Sequence, residues 1–184
     1  MSLLKQEVIG RHVRQLRARA GLSARALGSR TGFSASFISQ MENGLVSPSI
    51  GSMQKIAAAL GVTLGEFFTA AGEGATGTIV RARDRTRFES NWSSAELQLL
   101  GASRRLEAVL ITLDPAGRSG KHPSSGHDHE EFAFVLKGPL VLTLGPDRHV
   151  LRTGDSVIFL PGELRLWENP GRASARLMLV ALRR

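Results

Sequence analysis

The chain has 184 residues, enough for one large domain or two small ones, and 42% of them are hydrophobic, which is ample for packed cores. It holds no cysteine, which excludes disulfides, thiolate metal ligands and cysteine nucleophiles, and no apolar run approaches the roughly 20 residues that span a bilayer. Net charge is +8, unevenly spread: residues 1–72 carry eight Lys/Arg against three Asp/Glu, leaving sixteen against thirteen for residues 73–184.

The opening stretch, MSLLKQEVIGRHVRQ, becomes charged too early for a signal-peptide core, so a cytoplasmic location without a membrane partner is expected. Ile9, Val13, Leu16 and Ala20 fall at helical spacing and predict a first helix from about Leu4 to Ala20 with one inward face. Arg11, Arg14, Arg17 and Arg19 lie around the remainder. From Gly21 to Ile50 the pattern is two short helices joined by a tight turn. Ser23 stands at an N-cap position, Thr31-Gly32-Phe33 breaks the helix, and Ser34 caps a second one carrying Phe37, Ile38 and Met41 before Asn43-Gly44 stops it. A helix, a short glycine turn and a polar-faced helix is the arrangement that places a second helix in the DNA major groove. With that arrangement, the basic excess reads as attraction to phosphate.

Two more helices are predicted, Ser49 to Leu60 and Thr63 to about Ala70, the latter opened by a capping-box pairing of Thr63 with Glu66. Residues 1–70 thus form a five-helix bundle, and the small, glycine-rich residues 71–77 form a linker. Residues 78–184 change texture. Arg105 to Leu113, Glu131 to Leu136, Leu140 to Leu144, Ser156 to Leu160 and Arg176 to Leu182 are short and β-prone, separated by Gly/Pro/Asp turns. Many short strands at regular spacing predict a closed β-barrel or jelly roll. The expected fold class is therefore two-domain, α followed by all-β.

Residues Ile9 to Phe68 resemble the phage-repressor-like helix-turn-helix domain of the XRE type. The resemblance lies in Leu16-Arg17, Gly21-Leu22-Ser23, Thr31-Gly32-Phe33-Ser34, Ile38 to Gly44, Pro48-Ser49 and Ile56 to Val62. Gly28 departs from the alanine usual there; glycine inside a helix costs about 1 kcal/mol. The resemblance implies that Ala35, Ser36 and Phe37 open the recognition helix, with Gln40 one turn later. Gln40 could bond adenine N6/N7 and Ala35 could pack on a thymine methyl. Ser36 could reach a base edge or a phosphate, and Phe37 is either a contact or a packing residue. Ser23, Arg25, Ser39 and Asn43 suit phosphate, Ser34 is a further DNA-binding candidate as the cap of that helix, and Ile38 and Met41 should face the core.

Two later segments resemble the paired motifs of the cupin family, Gly126 to Gly138 (GHDHEEFAFVLKG) and Gly154 to Gly162 (GDSVIFLPG) continuing to Glu168-Asn169. In metal-binding cupins the first motif supplies two histidines and a glutamate, and the second a third histidine. Matched residue by residue, the glutamate is Glu131, the second histidine is His127, and the first falls on Ser125. The third falls on Arg165, so a cation replaces a ligand. His129 lies two residues from both His127 and Glu131, and on an extended strand the three share a face. A rearranged His127/His129/Glu131 metal site, with His122 as a remote fourth ligand, thus stands beside a metal-free pocket. In that pocket Arg165 would pair with Glu131 and suit an anionic effector, with Trp167 as a wall or a core residue. A third alternative is that the histidines only decorate a polar loop.

The resemblances together imply a transcriptional regulator, a repressor by analogy, that binds double-stranded DNA at a palindromic operator. No cofactor is expected, and a divalent metal is the alternative. A homodimer is expected, formed through an apolar outer face of Phe132, Phe134 and Leu136. The rival reading is a metal-dependent cupin enzyme with a co-opted helix-turn-helix.

Overall fold

The computed structural model describes residues 6–62, 79–90, 94–103, 105–125 and 130–182. Four α-helices occur among them: α1 (Gln6–Arg19), α2 (Ala24–Thr31), α3 (Ala35–Glu42) and α4 (Ile50–Ala59). Three start on serine. The Oγ atoms of Ser23, Ser34 and Ser49 accept from the backbone N–H groups of Ala26, Phe37 and Ser52 at 3.1, 3.0 and 3.1 Å, pairing donors a helix start leaves open. Helix α2 stops at Gly32, whose φ of 73° a residue with a Cβ adopts only with strain.

Helix α1 ends one residue short of the expected boundary. Ala20 is an exposed turn residue rather than part of the inward face, because Gly21 at φ 66° turns the chain away. Ile9, Val13, Leu27, Ile38, Met41, Ile50, Met53 and Ile56 form the helical core. The expected fifth helix, Thr63 to Ala70, and the linker 71–77 lie outside the described residues.

The C-terminal region consists of antiparallel strands in two sheets. The first has the order β1 (Arg87–Ser90), β2 (Ala95–Ala102), β3 (Leu106–Leu113), β10 (Ala175–Leu182), β5 (Glu131–Lys137), β8 (Ser156–Phe159). The second has the order β4 (Ser124–Ser125), β9 (Leu164–Glu168), β6 (Leu140–Leu144), β7 (Asp147–Leu151). All five segments predicted as strands appear. Four further strands of four or more residues carry weaker signals. AELQLLGA in β2 favours helix by residue type and becomes a strand because it pairs with β3 from Ala95↔Leu113 onward. Strand β7 is an edge whose residues are mostly exposed, so it shows no buried alternation.

Alternation on the long strands sets the inner face. Ala133 and Val135 on β5, Leu177 and Leu179 on β10, and Val109 and Ile111 on β3 are buried between the sheets. Asn169, just beyond β9, is also buried. Its Nδ2 reaches the carbonyls of Leu113, Asp114 and Ala173 at 2.9, 3.1 and 2.9 Å, and its Oδ1 accepts from the Gly171 N–H at 2.9 Å. It ties the turn after β3 to the loop between β9 and β10 and is thereby occupied structurally.

The helical and β regions touch directly. The Gly51 N–H in the first turn of α4 donates to the Ser119 carbonyl at 2.9 Å, and α4 packs on β4. Ser119 also ties to β9: its N–H donates to the Trp167 carbonyl at 2.9 Å and its Oγ accepts from the Trp167 N–H at 3.0 Å. One serine thus joins a strand of the β region to a helix of the bundle.

Candidate functional site

Helix α3 is divided lengthwise. Ile38 and Met41 are buried, as expected of core positions, whereas Ala35, Ser36, Ser39 and Gln40 are exposed. Short side chains on that outer face let a helix approach a groove closely, and Gln40 is the longest polar group on it. Ser23, Ser34 and Asn43 stand at helix ends. The two serine hydroxyls accept helix-capping bonds and keep their own O–H for a partner, and Asn43 Nδ2 donates to the Ser39 carbonyl at 2.9 Å. Arg25 is exposed on α2. Phe37 is half-buried and packs against Phe33, ring centroids 4.8 Å apart and tilted 44°, with the rest of its ring left open.

Arg17 is no surface cation. Its Nε and Nη2 donate to the two carboxylate oxygens of Glu42 at 2.5 and 2.9 Å, and its Nη1 donates to the Leu22 carbonyl at 2.7 Å. Arg14 adds a longer contact to Glu42 at 3.4 Å. The hydrogen bond to Glu42 holds the guanidinium pKa above its usual value, against the opposing effect of burial. This fork-to-fork pair ties α1 to the last turn of α3. Charge counting missed it because an arginine among four on a helix looks like surface charge until its buried partner is known. At the same contact a Cβ on Gly10 would lie 2.4 Å from the Met41 carbonyl oxygen, so α1 crosses α3 at backbone distance.

Between the two sheets, Arg165 on β9 forms a buried ion pair through Nη2 with Oε2 of Glu131 on β5. The guanidinium also lies over the Phe159 ring, 4.3 Å from its centroid, and Phe159 meets Trp167 edge-on at 6.0 Å. Burial pulls the Arg165 pKa down, while the charges of Glu131 and Glu163 pull it back up. Trp167 is a core residue, 2% exposed, that backs this cluster. Glu107, also buried, lies across Ala181 from Glu131 in the sheet register and on the same inner face. In the sequence it was one acid within a β-prone run, and only the register with β10 puts it in the same row as Glu131, one strand removed. His127 and His129 lie outside the described residues, so nothing is placed for their triad with Glu131. His122 is exposed and lines a cleft against the helical region.

Residues 8–67 match the helix-turn-helix domain family and residues 109–181 match the cupin domain family. The HTH-type transcriptional regulator PuuR of Escherichia coli K12 is 28% identical over 171 residues, covering 92% of this chain and 91% of the relative. Among solved structures, an HTH_3 family transcriptional regulator from Vibrio cholerae superposes with a TM-score of 0.75 at 23% identity over 98% of each chain. The hydroxypropylphosphonic acid epoxidase of S. wedmorenis superposes with a TM-score of 0.51 at 22% identity, over 97% of this chain and 98% of that one. Both likenesses concern the fold. No helix among the described residues is long and apolar enough to cross a membrane. With the outward face of α3, these matches make the chain a helix-turn-helix DNA-binding transcriptional regulator that carries a C-terminal cupin domain.

Proposed function

We propose that the cupin domain is a sensor rather than an enzyme: a small-molecule effector enters between the sheets, engages Arg165, and alters how two DNA-binding heads sit on an operator. The observation that carries this reading is the buried Arg165–Glu131 pair. Arg165 stands where the family resemblance puts a histidine ligand, and its fixed positive charge beside Glu131 opposes a divalent cation. The described donors therefore do not fit a metal, and no oxidative step is assigned. An effector carboxylate or phosphate would compete with Glu131 for the guanidinium, whose planar donors match either anion. Coupling to DNA would run through β9, where Trp167 bonds Ser119 and Ser119 bonds the first turn of α4. Repression is the expected outcome, by analogy with this kind of regulator.

On the DNA side, Gln40 and Ala35 are the proposed base readers, with Ser36 on a base edge or phosphate. Ser23, Arg25, Ser34, Ser39 and Asn43 are assigned to phosphate. A single small module reads few base pairs, so two heads on a two-fold operator are required for useful specificity.

The test combines metal analysis with thermal shift, using full-length protein purified without chelator. No stoichiometric metal, and a melting temperature raised by one member of a panel of small carboxylates and phosphates, are expected. The double variant Glu131→Leu/Arg165→Met should fold, since replacing both members of a buried pair is often tolerated, and should lose that rise. About one ion per chain in the parent protein would overturn the sensor reading and favour the enzyme.

A further inference from the structure

A cleft of about 360 Å³ opens where the helical region meets the loop before β4, and neither Arg165 nor Glu131 lines it. Its walls come from both regions. Phe33, Phe37 and Val46 supply an apolar floor from the helical side, and Gly120, Lys121 and His122 close it from the β side. Lys55 on α4 lines it too, with its ammonium 6.0 Å from the Phe33 ring centroid. None of the described lining residues is acidic. Ser47 adds a second sign of an occupant: its Oγ is shielded from solvent and has no hydrogen-bond partner. A shielded hydroxyl without a partner is costly unless something supplies one.

We infer that this cleft is a small-molecule site, separate from the effector site proposed at Arg165, and that it takes an amphipathic anion. An aromatic or aliphatic body would lie on Phe33 and Phe37, and a carboxylate would sit between Lys55 and Lys121, with Ser47 Oγ donating to it. The volume is within the range of small-ligand pockets, which favour junctions between domains and combine apolar walls with few polar groups. Phe37 belongs to α3, and Lys121 precedes the strand that packs on α4, so an occupant here fixes the recognition helix against the cupin domain. The binding claim stands without the sensor reading of Arg165; only its consequence for operator affinity rests on the DNA-binding function.

The experiment uses the full chain with naphthalene-2-carboxylate, and naphthalene-2-methanol as its uncharged counterpart. Calorimetry should show the carboxylate binding about tenfold more tightly than the alcohol, and Lys55→Ala/Lys121→Ala should remove that difference while the alcohol still binds. Hydrogen exchange should show carboxylate-dependent protection in residues 46–55 and 119–122. Protection confined to the strands bearing Glu131 and Arg165 would place the anion at the other site and overturn the inference. Equal affinity of the two probes, or no saturable binding up to about 1 mM, would also overturn it. The melting temperature of the double variant checks that its fold is retained, and Lys55→Gln/Lys121→Gln offers a second charge-neutral variant for the same comparison.

Discussion

At the residue scale, the exposed face of α3 carries one long polar side chain, the proposed base reader. Gln40 is exposed on a helix whose other outward residues, Ala35, Ser36 and Ser39, are small. A glutamine amide can donate to and accept from one adenine edge at once, and a good bidentate contact discriminates by about 1–3 kcal/mol. Gln40→Ala should therefore relax one base position per half-site and weaken binding by about 1–3 kcal/mol, read by selection from a random duplex pool followed by titration. Uniform weakening across all sequences would instead place Gln40 on phosphate. The bounds of α3 and its division into buried and exposed faces were legible because capping serines and a glycine turn fix where a short helix starts. Arg17 and Glu42 were not legible as partners: they lie 25 positions apart, and only the crossing of α1 over α3 brings them within 2.5 Å.

At the scale of elements, Gly28 shows how local preference and packing conflict. Inside α2 a glycine lowers helix propensity, so alanine would be expected to stabilise it by about 1 kcal/mol. A Cβ at that position, however, would lie 2.5 Å from the Phe33 carbonyl oxygen, and the Phe33 N–H already donates to the Gly28 carbonyl at 3.0 Å. The turn is held so closely to α2 that backbone would have to move. Gly28→Ala should thus destabilise by about 1–3 kcal/mol, the range of overpacking substitutions, measured by denaturant unfolding. A gain in stability would show that the turn relaxes without cost. Strand β2 gives the complementary lesson, since its residue types argued for helix and pairing with β3 decided otherwise.

At the scale of the whole molecule, the outer face of the six-stranded sheet is the proposed contact between two copies. Phe132 pairs with Ile158 on one side and Val180 on the other, while Phe134 pairs with Met178. Ile158 and Leu182 are more than half exposed, and Phe132 and Leu136 are partly so. A contiguous apolar face of this kind is uncommon on a monomer, and two copies can cover it by a self-complementary two-fold contact. Sedimentation at micromolar concentration should give a dimer, and Ile158→Glu, which adds a charge to an exposed position, should shift it to monomer. Monomeric parent protein would reject this face. Loss of the dimer should also weaken operator binding, because each head would then act alone.

Chain order alone determined the two-part architecture, the capped helices and the alternation that separates inner from outer strand faces, because those depend on near neighbours. The first and third of these follow from hydrophobic spacing, and the second from serine and glycine at helix ends. Tertiary structure decided what the charged groups without a motif do. Arg17 became a clamp, and Glu107 came into the same row as Glu131, with Ala181 between them, whereas the Arg165–Glu131 pair was already expected from the motif resemblance. The cleft at Lys55 and Lys121 exists only because two regions meet at Gly51 and Ser119. Charges act through space rather than along the chain, so their roles follow from where distant segments are brought together.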